Sequence, residues 1–161
     1  MRLAPVKHVS GFRIRRAASA DVDDLMRIEE RVFPTDRIPR RGFRRFLASP
    51  SSALMVATRD GTIAGYALVL FRANSGVARL YSIAVVPNAR RRGIGVALLA
   101  AAEKVARARR CAVLRLEVHE KNAVAIARYR KGGYALFGRH AAYYADRGHA
   151  LRFEKPLARM T

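Results

Sequence analysis

Cysteine and acidic residues are both scarce in this chain of 161 residues. Its single cysteine, Cys111, cannot form an internal disulfide, which excludes a fold held together by disulfide bonds. No apolar run reaches the roughly eighteen residues of a membrane span, and the N-terminal segment lacks the apolar stretch of a secretory signal. These absences predict a cytoplasmic protein without membrane contact, in which Cys111 is a buried, unreactive thiol.

Basic residues outnumber acidic residues by 32 to 12, which gives a formal net charge of +20. Such an excess suits a nucleic-acid or ribosomal partner, or an acidic substrate. However, the basic residues are scattered along the whole chain, and a coding bias alone would produce the abundance of arginine and alanine. We therefore do not expect nucleic acid to be the main partner. The histidines have no metal-ligand spacing, so no metal site is predicted.

With 51% hydrophobic residues the chain can bury a core, and its length suits one domain. We place this domain at residues 11–161, after a lead-in at residues 1–10. Hydrophobic periodicity predicts a strand, two helices, three strands in a meander, a helix, a strand, a helix and two strands. Asp60 and Gly61 are a hairpin signal, and Ser19 or Asp21 is the expected N-cap of the first helix.

The pattern predicts a mixed α/β sheet with parallel and antiparallel pairs. A helix joins the parallel pair, which begins at Val77 and Cys111. The expected strands are Phe12–Ala17, Ala53–Thr58, Thr62–Phe71, Val77–Val86, Cys111–His119, Tyr134–Gly138 and Ala150–Glu154. The expected helices are about Val22–Val32, Arg40–Ala48, Gly93–Arg109 and Asn122–Lys131.

Arginine and glycine are concentrated between the strand from Val77 and the next helix. The first turn of a helix has N–H groups without intrahelical partners, at the positive end of the helix dipole. Glycines let a phosphate approach the backbone, and arginines add positive charge, so a pyrophosphate site is predicted. The strand ends with Ile83, Ala84 and Val85, and the loop and helix start contain Arg90, Arg91, Arg92, Gly93, Ile94 and Gly95.

Polar side chains share one face of the strand that ends at His119. Glu117 and His119 project together because side chains alternate along a strand. In the helix that follows, Asn122, Ile126 and Tyr129 lie on one stripe at spacings of four and three residues. We therefore expect Asn122 and Tyr129 to face one groove.

Both segments resemble those of one enzyme superfamily. Arg90, Gly93 and Gly95 match the Gln/Arg-x-x-Gly-x-Gly/Ala motif with which GNAT acetyltransferases bind acetyl-CoA. LEVHEKNAVAIARYRKGGY, residues 116–134, resembles the LEVRxSNxxAIxLYxxLGF segment of the ribosomal-protein-alanine N-acetyltransferases. The resemblance implies a mixed, mostly antiparallel, twisted sheet of six or seven strands flanked by about four helices. It also implies direct transfer of acetyl from acetyl-CoA to a primary amine.

The resemblance assigns a role to each part of the site. The loop N–H groups hold the CoA pyrophosphate, and the backbone near Val85, at a bulge ending the strand, binds the acetyl carbonyl and pantetheine. Glu117 is the general base, Tyr129 the general acid and Asn122 a contact to CoA. From the residues alone, Glu117 is also compatible with a structural ion pair and Tyr129 with a core position. We expect His119, which replaces the branch's usual arginine, to be structural or acceptor-lining.

The acceptor implied by the resemblance is a protein N-terminus or a lysine, with ribosomal proteins included. One alternative is a small-molecule amine. Another is a basic module on the same fold that binds nucleic acid or the ribosome.

Overall fold

The computed structural model describes residues 11–90 and 92–158. The predicted lead-in at residues 1–10 and the predicted site residue Arg91 lie outside the described residues. The strands are β1 (Arg13–Arg16), β2 (Ser52–Arg59), β3 (Thr62–Phe71), β4 (Val77–Val85), β5 (Val113–His119), β6 (Ala135–His140) and β7 (Ala150–Pro156). The helices are α1 (Val22–Val32), α2 (Arg40–Ala48), α3 (Ile94–Ala108) and α4 (Ala123–Lys131), with 3-10 turns at Ser19–Asp21 and Pro87–Ala89.

The strands form a seven-stranded sheet in the order β1-β2-β3-β4-β5-β7-β6. The β4–β5 pair is parallel, and the other neighbouring pairs are antiparallel. The predicted order of elements and the mixed, mostly antiparallel sheet are therefore confirmed. The parallel pair is joined by α3, since parallel neighbours need a crossover rather than a hairpin.

The core lies on both faces of the central strands. Nearly every residue of β2 and β3 is buried, including successive ones, so both of their faces are covered. The helices α1, α2 and α3 pack against these strands. No helix in the described part of the chain has the length and apolarity needed to cross a membrane.

The hairpin between β2 and β3 turns at Asp60 and Gly61, as predicted. Both residues have positive φ, 50° and 80°, which is the conformation of a type I′ turn. Asp21 is the N-cap residue of α1, one of the two positions predicted. Neither Ser19 nor Asp21 caps that helix with its side chain, because Asp21 instead accepts hydrogen bonds from Ala18 N–H at 2.6 Å and from Arg15 at 2.8 and 2.9 Å.

Candidate active site

The two parallel strands part in the middle of the sheet. Their paired register runs from Val77 and Val113 to Leu80 and Leu116, and no pairing continues beyond it. The rest of β4, residues 81–85, and the end of β5 therefore border a cleft. In such a gap, backbone N–H and C=O groups that would be paired in a continuous sheet are left without a strand partner.

A β-bulge marks the point where the strands part. Along β3, Leu68 lies opposite Ser82 and Val69 lies opposite Leu80, which leaves Tyr81 as the extra residue. A bulge bends its strand and increases the local twist, so it turns the end of β4 away from β5. The resemblance implies a bulge near Val85, at the end of the strand; the structure places it at Tyr81, earlier in β4.

The backbone of Val85 points into this cleft. Val86 N–H donates to the Ala64 carbonyl on β3 at 2.9 Å, so Val86 faces β3. Because successive residues of a strand direct their N–H and C=O groups to opposite edges, Val85 and Ile83 face the side that β5 has left. The Val85 carbonyl accepts a hydrogen bond from Arg90 Nε at 3.2 Å. This edge offers the backbone donors that stabilise an acyl oxygen.

The predicted glycine loop forms the start of α3. Gly93 is the N-cap residue of α3. Its φ of 78° is a left-handed conformation that residues other than glycine rarely adopt. The first intrahelical bond runs from Ala97 N–H to the Gly93 carbonyl at 3.0 Å. The N–H groups of residues 94–96 therefore have no partner within the helix. Ile94 is buried in the core and anchors this turn. Ala84, near the end of β4, is also buried.

An arginine that the sequence analysis missed lies against the same turn. A Cβ added to Gly95 would be 2.8 Å from Nη1 of Arg128, so the α4 guanidinium occupies the space beside Gly95. Arg90 and Arg92 are exposed near the helix start. Positive charge gathered at the positive end of a helix is unfavourable unless an anion lies there. These groups fit the diphosphate of CoA.

Glu117 is held in ion pairs. Its side chain is 11% exposed, and its Oε2 lies 3.0 Å from Arg79 Nε, while Oε1 lies 3.6 Å from Arg152 Nε. The Arg79 guanidinium also donates to the Tyr143 hydroxyl at 2.5 Å. The ion pair that the residues alone left open is therefore present. To act as the base, Glu117 must also accept a hydrogen bond from a water molecule or from the acceptor amine while it remains paired with these arginines.

Tyr129 lies within α4 and is 7% exposed. Its ring packs edge-on against Tyr134 at a centroid distance of 5.7 Å. Burial raises the pKa of Tyr129 to about 12, against a smaller opposing effect of Arg128. Within the described residues, its hydroxyl makes no hydrogen bond, and it carries its proton at neutral pH. That is the protonation state a general acid requires.

Asn122 and His119 have structural partners. Asn122 precedes α4, and its Oδ1 accepts a hydrogen bond from Ala125 N–H at 3.1 Å, which makes it the helix N-cap. The His119 Nε2 lies 2.9 Å from Asp146 Oδ2, and Nδ1 accepts from Lys121 N–H at 3.1 Å. Because both ring nitrogens are occupied, His119 agrees with the structural interpretation.

Cys111 lies far from this cleft, before the start of β5. It is buried and free, and burial raises the pKa of its thiol, so it is a poor nucleophile. Among residues 11–90 and 92–158, no group of three or more His, Cys, Asp or Glu side chains could hold a metal ion.

Comparisons with known proteins identify the family of this chain. The profile of the Acetyltransferase (GNAT) family matches residues 22–134. An N-alpha-acetyltransferase of Sulfurisphaera tokodaii is 32% identical over 170 positions, which cover 98% of this chain and 100% of the relative. A streptothricin acetyltransferase of Streptomyces lavendulae is 37% identical over 110 positions, 66% of this chain and 58% of the relative. The structure of the Escherichia coli ribosomal-protein-S18-alanine N-acetyltransferase matches with a TM-score of 0.83 and 27% identity, over 93% of this chain and 96% of that one.

The chain therefore belongs to the GNAT family of acetyltransferases. It is an acetyl-CoA-dependent N-acetyltransferase, as the resemblance implied. The predicted similarity to ribosomal-protein-alanine N-acetyltransferases is also confirmed.

Proposed function

We propose that this enzyme acetylates the free N-terminal amine of a protein or peptide, with a lysine side chain as the second protein acceptor. The main support is the open β4–β5 cleft, which places the end of β4, next to the glycine loop, opposite the strand end that carries Glu117. A second support is the N-alpha-acetyltransferase that aligns over the full chain. A ribosomal protein belongs to the same acceptor class, and residues 11–161 act as one catalytic domain.

Acetyl-CoA supplies a thioester that the amine attacks, with the CoA thiol as the leaving group. The N–H groups of residues 94–96, together with Arg90, Arg92 and Arg128, would hold its diphosphate. Arg91 and Asn122 belong to the same proposed set. The cleft-facing backbone of Ile83 and Val85 would bind the acetyl carbonyl and the pantetheine chain, which places the reacting carbon beside the parted strands.

Two side chains move the protons. In the proposal Glu117 takes one proton from the ammonium form of the acceptor through a water molecule, because the carboxylate is mostly buried and already paired with Arg79 and Arg152. Tyr129 gives its hydroxyl proton to the departing sulfur, and the proton that the attacking nitrogen loses as it becomes an amide returns through solvent to the tyrosine oxygen. Neither step needs a metal ion, and the proposal places the enzyme in the cytoplasm.

A small-molecule amine is the second candidate acceptor, since a streptothricin acetyltransferase is among the relatives. Nucleic acid is not the main partner in this proposal. The described arginines at the helix start are accounted for by CoA, and part of the remaining positive charge is neutralised in ion pairs.

The test is a screen of acceptors with detection of released CoA thiol and mass spectrometry of the products. Peptides with free N-termini, the same peptides with a blocked N-terminus and one lysine, and small polyamines are compared at equal concentrations. We expect acetylation of free N-termini at the highest kcat/KM. Acetylation of the small amines alone would overturn the proposal in favour of the second candidate. Binding of acetyl-CoA without any acetylated product would overturn the enzymatic proposal itself.

A further inference from the structure

A basic pocket lies beside the end of the cleft that is away from the glycine loop. It is formed by α2, the loop before it and the bulge of β4, and its volume is about 460 Å³. The side chains that define this basic pocket are those of Arg37, Ile38, Arg41, Arg45, Phe46 and Tyr81. A volume of this size holds one or two side chains of a bound peptide and excludes a nucleic-acid duplex.

The arginines of the basic pocket are free of carboxylate partners in the described part of the chain. Arg40, which lies on another side of α2, pairs with Asp23 at 2.5 Å. In contrast, Arg41 and Arg45 lie one helical turn apart on the pocket side, and no carboxylate of residues 11–90 or 92–158 lies within 4.0 Å of either. Within the described residues, Arg37 donates to the backbone carbonyls of Phe33 (Nε at 2.6 Å) and Glu30 (Nη2 at 3.3 Å). The pocket therefore carries unneutralised positive charge.

The pocket is connected to the catalytic cleft through one side chain. The Arg79 guanidinium lies 5.5 Å from the ring centroid of Tyr81, which lines the pocket. The same guanidinium is paired with Glu117, the proposed base. An acceptor whose amine reaches Glu117 therefore passes Tyr81 within the first few residues of its chain, since extended residues span about 3.3 Å each.

The wall of the pocket is fixed from inside the protein. Glu29 is 1% exposed, and its Oε2 accepts a hydrogen bond from Ile38 N–H at 2.8 Å. Its other oxygen accepts from the buried hydroxyl of Tyr66, which also contacts Ser82 at 2.7 Å. Gly42 allows Ile38 to pack closely on α2, because a Cβ there would be 3.1 Å from Ile38 Cγ2. The loop is therefore held in place before any ligand binds.

We propose that the basic pocket selects acceptors with an aspartate or glutamate close to the reacting N-terminus. The acidic side chain enters between Arg41 and Arg45, over the rings of Phe46 and Tyr81, and forms charge-assisted hydrogen bonds. This inference rests on the proposed acetylation of peptides. It assigns an acidic segment to the acceptor, in contrast to a basic peptide or a nucleic acid.

The experiment compares three peptides that differ only at the second and third positions, with aspartate, asparagine or lysine there. We expect kcat/KM for the aspartate peptide to exceed that for the asparagine peptide by about tenfold at low ionic strength, with the lysine peptide poorest. Added salt reduces the difference, because the pocket is open to solvent.

The double variant Arg41→Gln, Arg45→Gln should lose most of this preference, because kcat/KM for the aspartate peptide falls toward that for the asparagine peptide. The matched control is Arg44→Gln, which removes a neighbouring exposed arginine of α2 that does not line the pocket. It should keep the preference. Arg41→Glu should shift the preference toward the lysine peptide.

Two outcomes overturn the inference. Equal kcat/KM for the three peptides would show that the pocket does not read acceptor charge, even though peptides are acetylated. Competition by a short single-stranded RNA that Arg41→Gln, Arg45→Gln abolishes, without any peptide preference, would assign the pocket to nucleic acid. Acetylation of none of the peptides would instead contradict the proposed function on which the inference rests.

Discussion

The Nε of Arg79 lies 3.0 Å from Oε2 of Glu117, and this ion pair joins β4 and β5 where their pairing ends, since Arg79 is the next-to-last paired residue of β4 and Glu117 follows the last paired residue of β5. The pair lies at the closed end of the cleft and holds the two strands together where they begin to part. It therefore fixes the width of the cleft at the position where the acceptor amine is expected. Glu117 has two roles in this arrangement, a structural one toward Arg79 and the proposed chemical one toward the amine.

The variant Glu117→Gln separates these two roles. If Glu117 is the base, the loss of kcat/KM is largest below the pKa of the acceptor amine and becomes smaller at high pH, where free amine is plentiful. We also expect a lower melting temperature, because Arg79 loses a partner in a partly buried position. The measurements are the pH–rate profile and thermal unfolding of the same preparation.

The variant Glu154→Gln is the matched control. Glu154 pairs with Arg115 at 2.8 Å on the neighbouring part of the sheet, away from the proposed chemistry. It should lower stability without changing the pH–rate profile. If Glu117→Gln behaves in the same way, with a uniform loss at every pH, Glu117 is a structural residue and not the base.

The glycine loop gives a prediction on acetyl-CoA binding. Gly93→Asp places a side chain and a negative charge at the proposed diphosphate site, so we expect at least a tenfold loss of affinity, about 1.4 kcal/mol. Gly61→Asp is a matched control, because Gly61 has a similar φ of 80°, and a Cβ there meets nothing within 4 Å. Both variants share the backbone strain, and titration calorimetry with acetyl-CoA distinguishes them. Equal affinity for the two folded variants would remove the loop from the binding site.

Local patterns in the sequence were sufficient to predict the elements of the fold. Asp60 and Gly61 correctly predicted the turn between β2 and β3. The alternation around Glu117 correctly predicted which side chains of β5 are buried in the core and which lie on the face of Glu117. Each of these signals involves residues close together in the sequence, so it can be identified without knowing the tertiary structure. Asp21 occupies the predicted N-cap position of α1, but its carboxylate binds Arg15, six residues earlier in the chain, instead of the helix N–H groups.

The parts of the site that were missed depend on distant contacts. The Arg128 guanidinium lies against Gly95 at the start of α3 although the two residues are far apart in the sequence, and nothing near Arg128 indicates this neighbour. The bulge at Tyr81 is a property of the β3–β4 register, which local periodicity does not fix. The pairing of Arg79 with Glu117 depends on the parallel register of β4 and β5.

Glu29 gives a prediction on stability and on its pH dependence. Burial raises the pKa of Glu29 above its ordinary value, with hydrogen bonds from Tyr66 and Ile38 as smaller opposing effects. A raised folded-state pKa contributes stability that is present below the unfolded-state pKa and is lost as pH rises through the folded-state pKa. The advantage of the wild type over Glu29→Gln should therefore be larger at pH 4 than at pH 7, as measured by chemical denaturation.

The variant Glu29→Ala should be worse than Glu29→Gln at both pH values, by about 2 kcal/mol, since it leaves the Ile38 N–H and the Tyr66 hydroxyl without their buried acceptor. It should also raise KM for the peptide more than it lowers kcat, because it loosens the wall of the basic pocket. A Glu29→Ala variant that is destabilised but keeps its KM for the peptide would show that Glu29 stabilises the core and does not affect the basic pocket.

The role of Tyr129 can be tested with a control variant at Tyr134, the tyrosine whose ring packs against it. The hydroxyl of Tyr134 is buried without a hydrogen-bond partner in the described part of the chain, and its ring contacts that of Tyr129. Tyr134→Phe should therefore keep kcat and lose no stability. Tyr129→Phe removes the proposed proton donor, and kcat should fall by roughly 100-fold with little change in KM for acetyl-CoA.

The pH dependence strengthens this test. Since burial raises the pKa of Tyr129 to about 12, the hydroxyl stays protonated through pH 10, and kcat of the wild type should show no decline on the alkaline side below that value. The same raised pKa contributes stability that is complete below the unfolded tyrosine pKa of about 10 and is lost between pH 10 and 12. Tyr129→Phe should lack that alkaline loss. If it also retains normal kcat, Tyr129 is a packing residue of the core, and the leaving sulfur takes its proton from water.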